Sequence, residues 1–81
     1  SEVELQMQPG QALVLYTDGI IESKNPAGNE IGFDRFKQWL IDHYHTDAAT
    51  YYHAVYEEYL RWLAGGEAQD DLTLIILVYP Q

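Results

Sequence analysis

Two apolar runs typical of β-strands lie far apart in this chain, and each borders an aspartate motif. The first run, residues 12–16, leads into Asp18, and the second, residues 72–79, follows Asp70 and Asp71. If the two strands pair antiparallel, the end of the first lies beside the start of the second. The carboxylates would then meet at one edge of a sheet, where their oxygens suit a hard divalent cation such as Mg²⁺ or Mn²⁺.

A third run predicts a hairpin at the start of the chain. Residues 3–7 alternate between apolar and polar side chains, which is the two-residue period of a half-buried strand. The turn signal Pro9-Gly10 separates this run from the nearly continuous apolar run at 12–16, which is typical of a strand covered on both faces. The first two strands are therefore expected to pair antiparallel.

Two segments between the strand runs have helical periodicity. The first helix is predicted to begin near Phe33. The second is predicted to follow an N-cap at Thr46 or Asp47 and to end at residues 65–66, which are both glycine. The predicted apolar stripe of the second helix consists of Ala48, Tyr52, Val55, Tyr56, Tyr59 and Leu63.

The order strand, strand, helix, helix, strand predicts an α+β fold. Its most economical packing is an antiparallel β-sheet with the helix pair on one face. The last strand is long and apolar for so small a sheet, so its other face also needs cover. This pattern predicts a second layer outside the segment.

The composition fits one small domain with an acidic surface. The chain has 81 residues, of which 47% are hydrophobic, and this content indicates a packed core. A formal charge of −9 argues against nucleic acid and anionic membranes as partners and is compatible with metal binding or a basic protein partner. The absence of cysteine excludes disulfides and thiolate zinc sites and fits a cytoplasmic protein.

The acidic residues also have ordinary structural explanations. An aspartate before a glycine at a strand end, as at Asp18, is usually part of a turn. Asp71 can equally be a simple cap rather than a functional residue. Glu22 can be a solvated loop residue. The three histidines are not expected to form a zinc site, which needs convergent ligands, and no Asp-x-Asp-x-Asp-Gly calcium loop is present.

Three segments, in this order and at this spacing, carry a family resemblance. They read LYTDGIIE at 15–22, GNEIGFDRF at 28–36 and QDDLTLI at 69–75. Together they resemble the C-terminal third of the SpoIIE-like branch of the protein phosphatase 2C-like (PPM) family. The resemblance extends over essentially the whole chain.

The resemblance implies a bacterial metal-dependent serine/threonine phosphatase that acts on a phosphoprotein regulator such as an anti-sigma-factor antagonist. It implies an αββα sandwich of two antiparallel sheets and flanking helix pairs, with a dinuclear Mg²⁺ or Mn²⁺ site at one end. By resemblance, Asp18 and Asp70 are metal ligands. The same resemblance puts Gly19, Glu22 and Asp71 beside the metal ions without making them ligands.

The chain departs from the family in one important respect. The family's further acidic ligands, including a second Asp-Gly pair, have no counterpart here, because the sole such pair is Asp18-Gly19. Residues 1–81 are therefore expected to be a single partial domain that binds metal weakly or not at all and is inactive by itself, with no catalytic residue of its own. The rival hypothesis is a non-catalytic protein-interaction or dimerisation module, forming a homo-oligomer through the sheet face or the helix pair.

Overall fold

The computed structural model of the chain describes residues 3–8, 12–66 and 73–78. Within these ranges the elements, in chain order, are β1 (Val3–Gln8), β2 (Ala12–Thr17), α1 (Asp18–Ile21), α2 (Phe33–Asp42), α3 (Ala48–Leu63) and β3 (Leu74–Val78). The α+β class is confirmed. The sequence predicted only the end of a strand after β2, whereas α1, a single helical turn, directly continues that strand.

The three strands form one antiparallel sheet in the order β1-β2-β3, so β2 is central. Along the second pairing, Ala12 lies opposite Val78 and Tyr16 opposite Leu74. This register confirms that the end of β2 lies beside the start of β3, as the two apolar runs predicted.

The helices cover one face of the sheet. The core on that side consists of Ala12, Val14, Tyr16, Ile20, Ile31, Phe36, Trp39, Leu40, Tyr51, Val55, Tyr59, Leu63 and Ile76. On the opposite face Leu13 and Leu15 are half-buried, and Ile75 and Leu77 remain 45% and 51% exposed. The predicted cover on both faces of β2 is therefore incomplete in the described structure, since all three helices lie on the other side.

The buried stripe of α3 differs from the predicted one. Tyr51 is buried at the start of the stripe, whereas Tyr52 and Tyr56 are exposed and stack on each other with ring centroids 6.1 Å apart. The prediction that these two tyrosines face the core is wrong. The reason is a polar anchor: the Tyr51 hydroxyl donates a buried hydrogen bond to the Leu40 carbonyl at the end of α2, which fixes the rotation of α3.

The connection between α2 and α3 is short and capped. Asp47 is the N-cap of α3, as predicted, and its carboxylate accepts hydrogen bonds from the backbone N–H of Thr50 at 2.9 Å and from the Thr50 hydroxyl at 2.7 Å. These hydrogen bonds stabilise the charged carboxylate and lower the pKa of Asp47. The cap therefore determines where α3 begins.

One hydrogen bond between side chains also joins the two helices. His43 Nε2 lies 2.9 Å from Glu58 Oε1, and Arg61 lies 3.3 Å from the same carboxylate. Chiefly through the hydrogen bond with His43, the pKa of Glu58 is lowered. Glu57, four residues before Arg61, lies 3.1 Å from His53.

Candidate metal centre

Asp18 occupies a defined position at the junction of β2 and α1. It is the first residue of α1, and its side chain is half-buried. Within the described part of the chain its carboxylate forms no hydrogen bond and no ion pair. A half-buried carboxylate at the end of the central strand, with no partner among the described residues, has oxygens available for a hard cation.

The two strand ends next to Asp18 are held together by a pair of threonines. The backbone N–H of Thr17 donates to the Thr73 carbonyl at 3.1 Å, and the backbone N–H of Thr73 donates to Thr17 Oγ1 at 3.1 Å. Thr17 is buried at this contact. Asp18 directly follows Thr17, and Thr17 is hydrogen-bonded to Thr73, the residue before β3. Asp18 is therefore close to the start of β3.

The second half of the predicted site lies outside the described residues. Asp70 and Asp71 both fall in the segment 67–72, which separates the two described ranges 12–66 and 73–78. The hydrogen bonds between Thr17 and Thr73 are compatible with the predicted approach of Asp70 and Asp71 to Asp18. Convergence of the carboxylates themselves stays a prediction.

The two other predicted site residues are close to Asp18 along the chain. Glu22 is exposed and is the C-cap of α1, where its backbone N–H donates to the Asp18 carbonyl at 3.0 Å. Gly19 lies inside α1, so its helical backbone does not need the left-handed conformations that glycine alone adopts freely. Their predicted places beside a metal ion remain untested by these contacts.

Other groupings of potential ligands are sparse in the part of the chain that the structure describes. No three histidine, aspartate or glutamate residues lie close enough there to hold a metal ion. His43 and His53 are each paired with a glutamate, and His45 Nδ1 accepts a hydrogen bond from the Asp47 backbone N–H. Of the predicted ligands, Asp18 is the one that the described structure places.

An apolar cavity of about 80 Å³ lies between the sheet and the helices. It is lined by Ile20, Phe36, Tyr52, Val55, Tyr56, Tyr59 and Leu74. Ile20 belongs to α1 and Leu74 follows Thr73, so the cavity borders the same end of the sheet as Asp18. Its lining offers few polar groups, which makes it unsuited to hold a metal ion.

Ser23, which was not among the predicted site residues, directly follows the C-cap of α1. Ser23 is 1% exposed, and both its hydroxyl and its carbonyl are hydrogen-bonded to other elements. Its neighbours Lys24, Asn25 and Pro26 are typical of a loop, and no feature of the sequence distinguishes a buried serine from an exposed one in such a stretch.

Comparison with known proteins identifies the family. Residues 1–80 match the family described as Stage II sporulation protein E (SpoIIE). No curated protein and no solved structure was found to match the chain. Among the described residues, no helix is both long enough and apolar enough to cross a bilayer. Because the match extends over nearly the whole sequence, and because the α+β fold is compatible with a fragment of a PPM phosphatase domain, the chain belongs to the SpoIIE family.

Proposed function

We propose that this chain is part of a metal-dependent protein serine/threonine phosphatase. Asp18 and Asp70 are its contribution to a dinuclear Mg²⁺ or Mn²⁺ centre. The substrate is phosphoserine or phosphothreonine on a regulatory protein, such as an anti-sigma-factor antagonist in the bacterial cytoplasm. The observation that carries this proposal is the hydrogen-bonded pair Thr17 and Thr73, which brings the strand end bearing Asp18 next to the start of β3.

The charge of the chain explains why such a site needs cations. With a formal charge of −9, the protein alone repels a phosphate ester. A pair of divalent ions held in part by Asp18 and Asp70 would supply positive charge that offsets this repulsion and would acidify a bound water. The chain's own contribution is to orient the ligands: Asp18 is fixed on one side by β2 and on the other by the turn of α1.

The remaining ligands have to come from elsewhere in a complete phosphatase domain. A hard cation such as Mg²⁺ binds through several oxygens, and two carboxylates with water provide only weak affinity. This chain by itself is therefore expected to bind metal weakly and to lack useful phosphatase activity. In the proposed arrangement Gly19, Glu22 and Asp71 lie beside the ions and do not ligate them.

Removal of the two proposed ligands tests the site directly. Mn²⁺ titrated into the chain in a calorimeter is expected to show binding at about millimolar strength, and the double variant Asp18→Asn, Asp70→Asn is expected to lose it, because an amide is a weaker ligand for a hard cation than a carboxylate. Asp34→Asn is the matched control, since Asp34 is an exposed aspartate on α2. Mn²⁺ binding that is detectable in the wild type and equally strong in the double variant would contradict the metal site.

A second candidate function rests on the uncovered face of the sheet. Ile75 and Leu77 project from β3 on the side away from the helices, and both are about half exposed. Large apolar side chains side by side on a strand are typical of a surface that another layer covers. A non-catalytic module that dimerises or binds a protein through this face is the alternative.

A charged residue on that face tests whether the face mediates self-association. Leu77→Lys is expected to raise the dissociation constant of any self-association at least about tenfold, because burying a leucine contributes about 1.5–3 kcal/mol. Leu60→Lys is the matched control, because Leu60 is 43% exposed but belongs to α3. Light scattering after size exclusion gives the mass. A wild-type chain that stays monomeric at high concentration would argue against homo-oligomerisation through this face.

A further inference from the structure

One buried serine connects α1 to α3. The Ser23 hydroxyl donates to the Gly19 carbonyl at 2.6 Å and lies 2.8 Å from the Tyr59 hydroxyl. The Ser23 carbonyl accepts from the Trp62 indole N–H at 3.0 Å and from the Ile31 backbone N–H at 3.1 Å. A single residue therefore ties the last turn of α3 to the end of α1.

The direction of these hydrogen bonds follows from the number of protons. A serine hydroxyl has one proton, and that of Ser23 is used in the bond to the Gly19 carbonyl. Tyr59 must then donate its own proton to Ser23 Oγ. The result is a chain of two bonds, from Tyr59 through Ser23 to Gly19, and consecutive bonds of this kind polarise and strengthen one another.

The helix α1, which accepts the last of these hydrogen bonds at Gly19, is too short to be stable by itself. α1 has four residues, and a single turn is unstable in water because nucleation of a helix is unfavourable. Its first residue, Asp18, is joined covalently to β2. At its other end the Gly32 backbone N–H donates to the Ile21 carbonyl at 2.9 Å and Ile20 is buried in the core, while Ser23 provides the hydrogen bonds that connect this end to α3.

We propose that Ser23 is a positioning residue, which holds α1 and therefore Asp18 in place through Tyr59 and Trp62 of α3. This inference rests on the proposed function in one respect, because it assigns Asp18 a role as a metal ligand. It adds a physical connection between the proposed site and α3, which also carries the partly exposed stacked pair Tyr52 and Tyr56 at the mouth of the apolar cavity. A change in the position of α3 would be transmitted toward Asp18 through the hydroxyl and the carbonyl of Ser23.

Amide hydrogen exchange of the whole chain tests the connection with a matched pair of variants. Tyr59→Phe and Tyr51→Phe each delete one buried hydroxyl from α3, but Tyr51 bonds to α2 and not to Ser23. The reporter for α1 is the Glu22 N–H, bonded to the Asp18 carbonyl, and the reporter for the end of α2 is the His43 N–H, bonded to the Trp39 carbonyl. Rates are taken relative to the slowest amides of β2, which report global unfolding.

The expected result is a crossed pattern. Tyr59→Phe should speed exchange of the Glu22 N–H by about five- to tenfold and leave exchange of the His43 N–H unchanged. Tyr51→Phe should speed exchange of the His43 N–H and leave that of the Glu22 N–H unchanged. Ser23→Ala should match or exceed the effect of Tyr59→Phe, and the double variant should resemble Ser23→Ala, because both changes remove the same chain of bonds. Equal effects of both tyrosine variants on Glu22 would overturn the proposal and leave Ser23 as ordinary packing.

A Mn²⁺ titration separates failure of this inference from failure of the proposed function. If Asp18→Asn leaves the heat of Mn²⁺ binding unaltered, the metal site is refuted, whereas the exchange pattern still decides whether Ser23 positions α1. If the metal site stands, Tyr59→Phe should weaken Mn²⁺ binding severalfold and Tyr51→Phe should not. Equal Mn²⁺ affinity of the two tyrosine variants would overturn the role of Ser23 in positioning Asp18.

Discussion

Phe36→Ala is expected to lower the free energy of unfolding by about 3–5 kcal/mol, enough to unfold a large fraction of the molecules. Phe36 is 1% exposed and makes edge contacts with Tyr16 of β2 at 4.8 Å and with Trp39 at 6.5 Å between ring centroids. Its ring therefore joins the sheet to α2. A chain of 81 residues has a total stability of only about 4–12 kcal/mol, so the loss is a large part of the whole.

Phe33→Ala provides the control on the same helix with the same change in side chain. Phe33 is 40% exposed at the start of α2, so its removal is expected to cost less than about 1 kcal/mol. Urea unfolding followed by tryptophan fluorescence measures both variants, since Trp39 lies in the core. Similar midpoints for the two variants would show that the ring of Phe36 does not join the sheet to the helices as described.

Raising the pH from about 10 to 12 is expected to destabilise the fold by about 2 kcal/mol through Tyr51 alone. Burial, with a smaller effect of nearby Tyr44, raises the pKa of the Tyr51 hydroxyl from 10 to about 12. The unfolded chain releases this proton at the lower pH and the folded chain retains it. The stabilisation is therefore complete below pH 10 and is lost as the pH rises through 12.

Tyr51→Phe should abolish this alkaline loss, although it should also cost about 1 kcal/mol at neutral pH because the Leu40 carbonyl loses its hydrogen bond. Tyr52→Phe, a change at the exposed neighbour, should retain the full loss. Urea midpoints at several values of pH between 8 and 12 give the comparison. If the urea midpoint of Tyr51→Phe falls with pH as steeply as that of the wild type, the alkaline loss of stability belongs to other groups.

The elements with long, regular patterns could be predicted from the sequence. α2 begins at Phe33 and α3 follows the Asp47 cap, because helical periodicity and a capping side chain are both local signals. The pairing of β2 with β3 was also predictable, since two apolar runs in one small chain have few other partners. The fold class follows from these elements together.

Features that depend on single tertiary contacts could not be predicted. The stripes that start at Tyr51 and at Tyr52 are almost equally apolar, and the hydrogen bond from Tyr51 to Leu40 decides between them. α1 was missed because an Asp-Gly pair usually indicates a turn, while the helix is held from outside by Ser23. For the site, the sequence predicted the location of Asp18 at the end of the strand but gave no sign of the serine that supports it.

The contact between Thr17 and Thr73 means that the helical part of the chain leaves the sheet and returns to it at the same place. The two residues are 56 positions apart in sequence, yet their backbones are hydrogen-bonded. Lengthening a loop inside such an excursion adds little entropic cost and need not disturb its ends. The exposed residues 45–46 between α2 and α3 are therefore a tolerant point for insertion, where evolution or an engineer could add a segment without altering the alignment of Asp18.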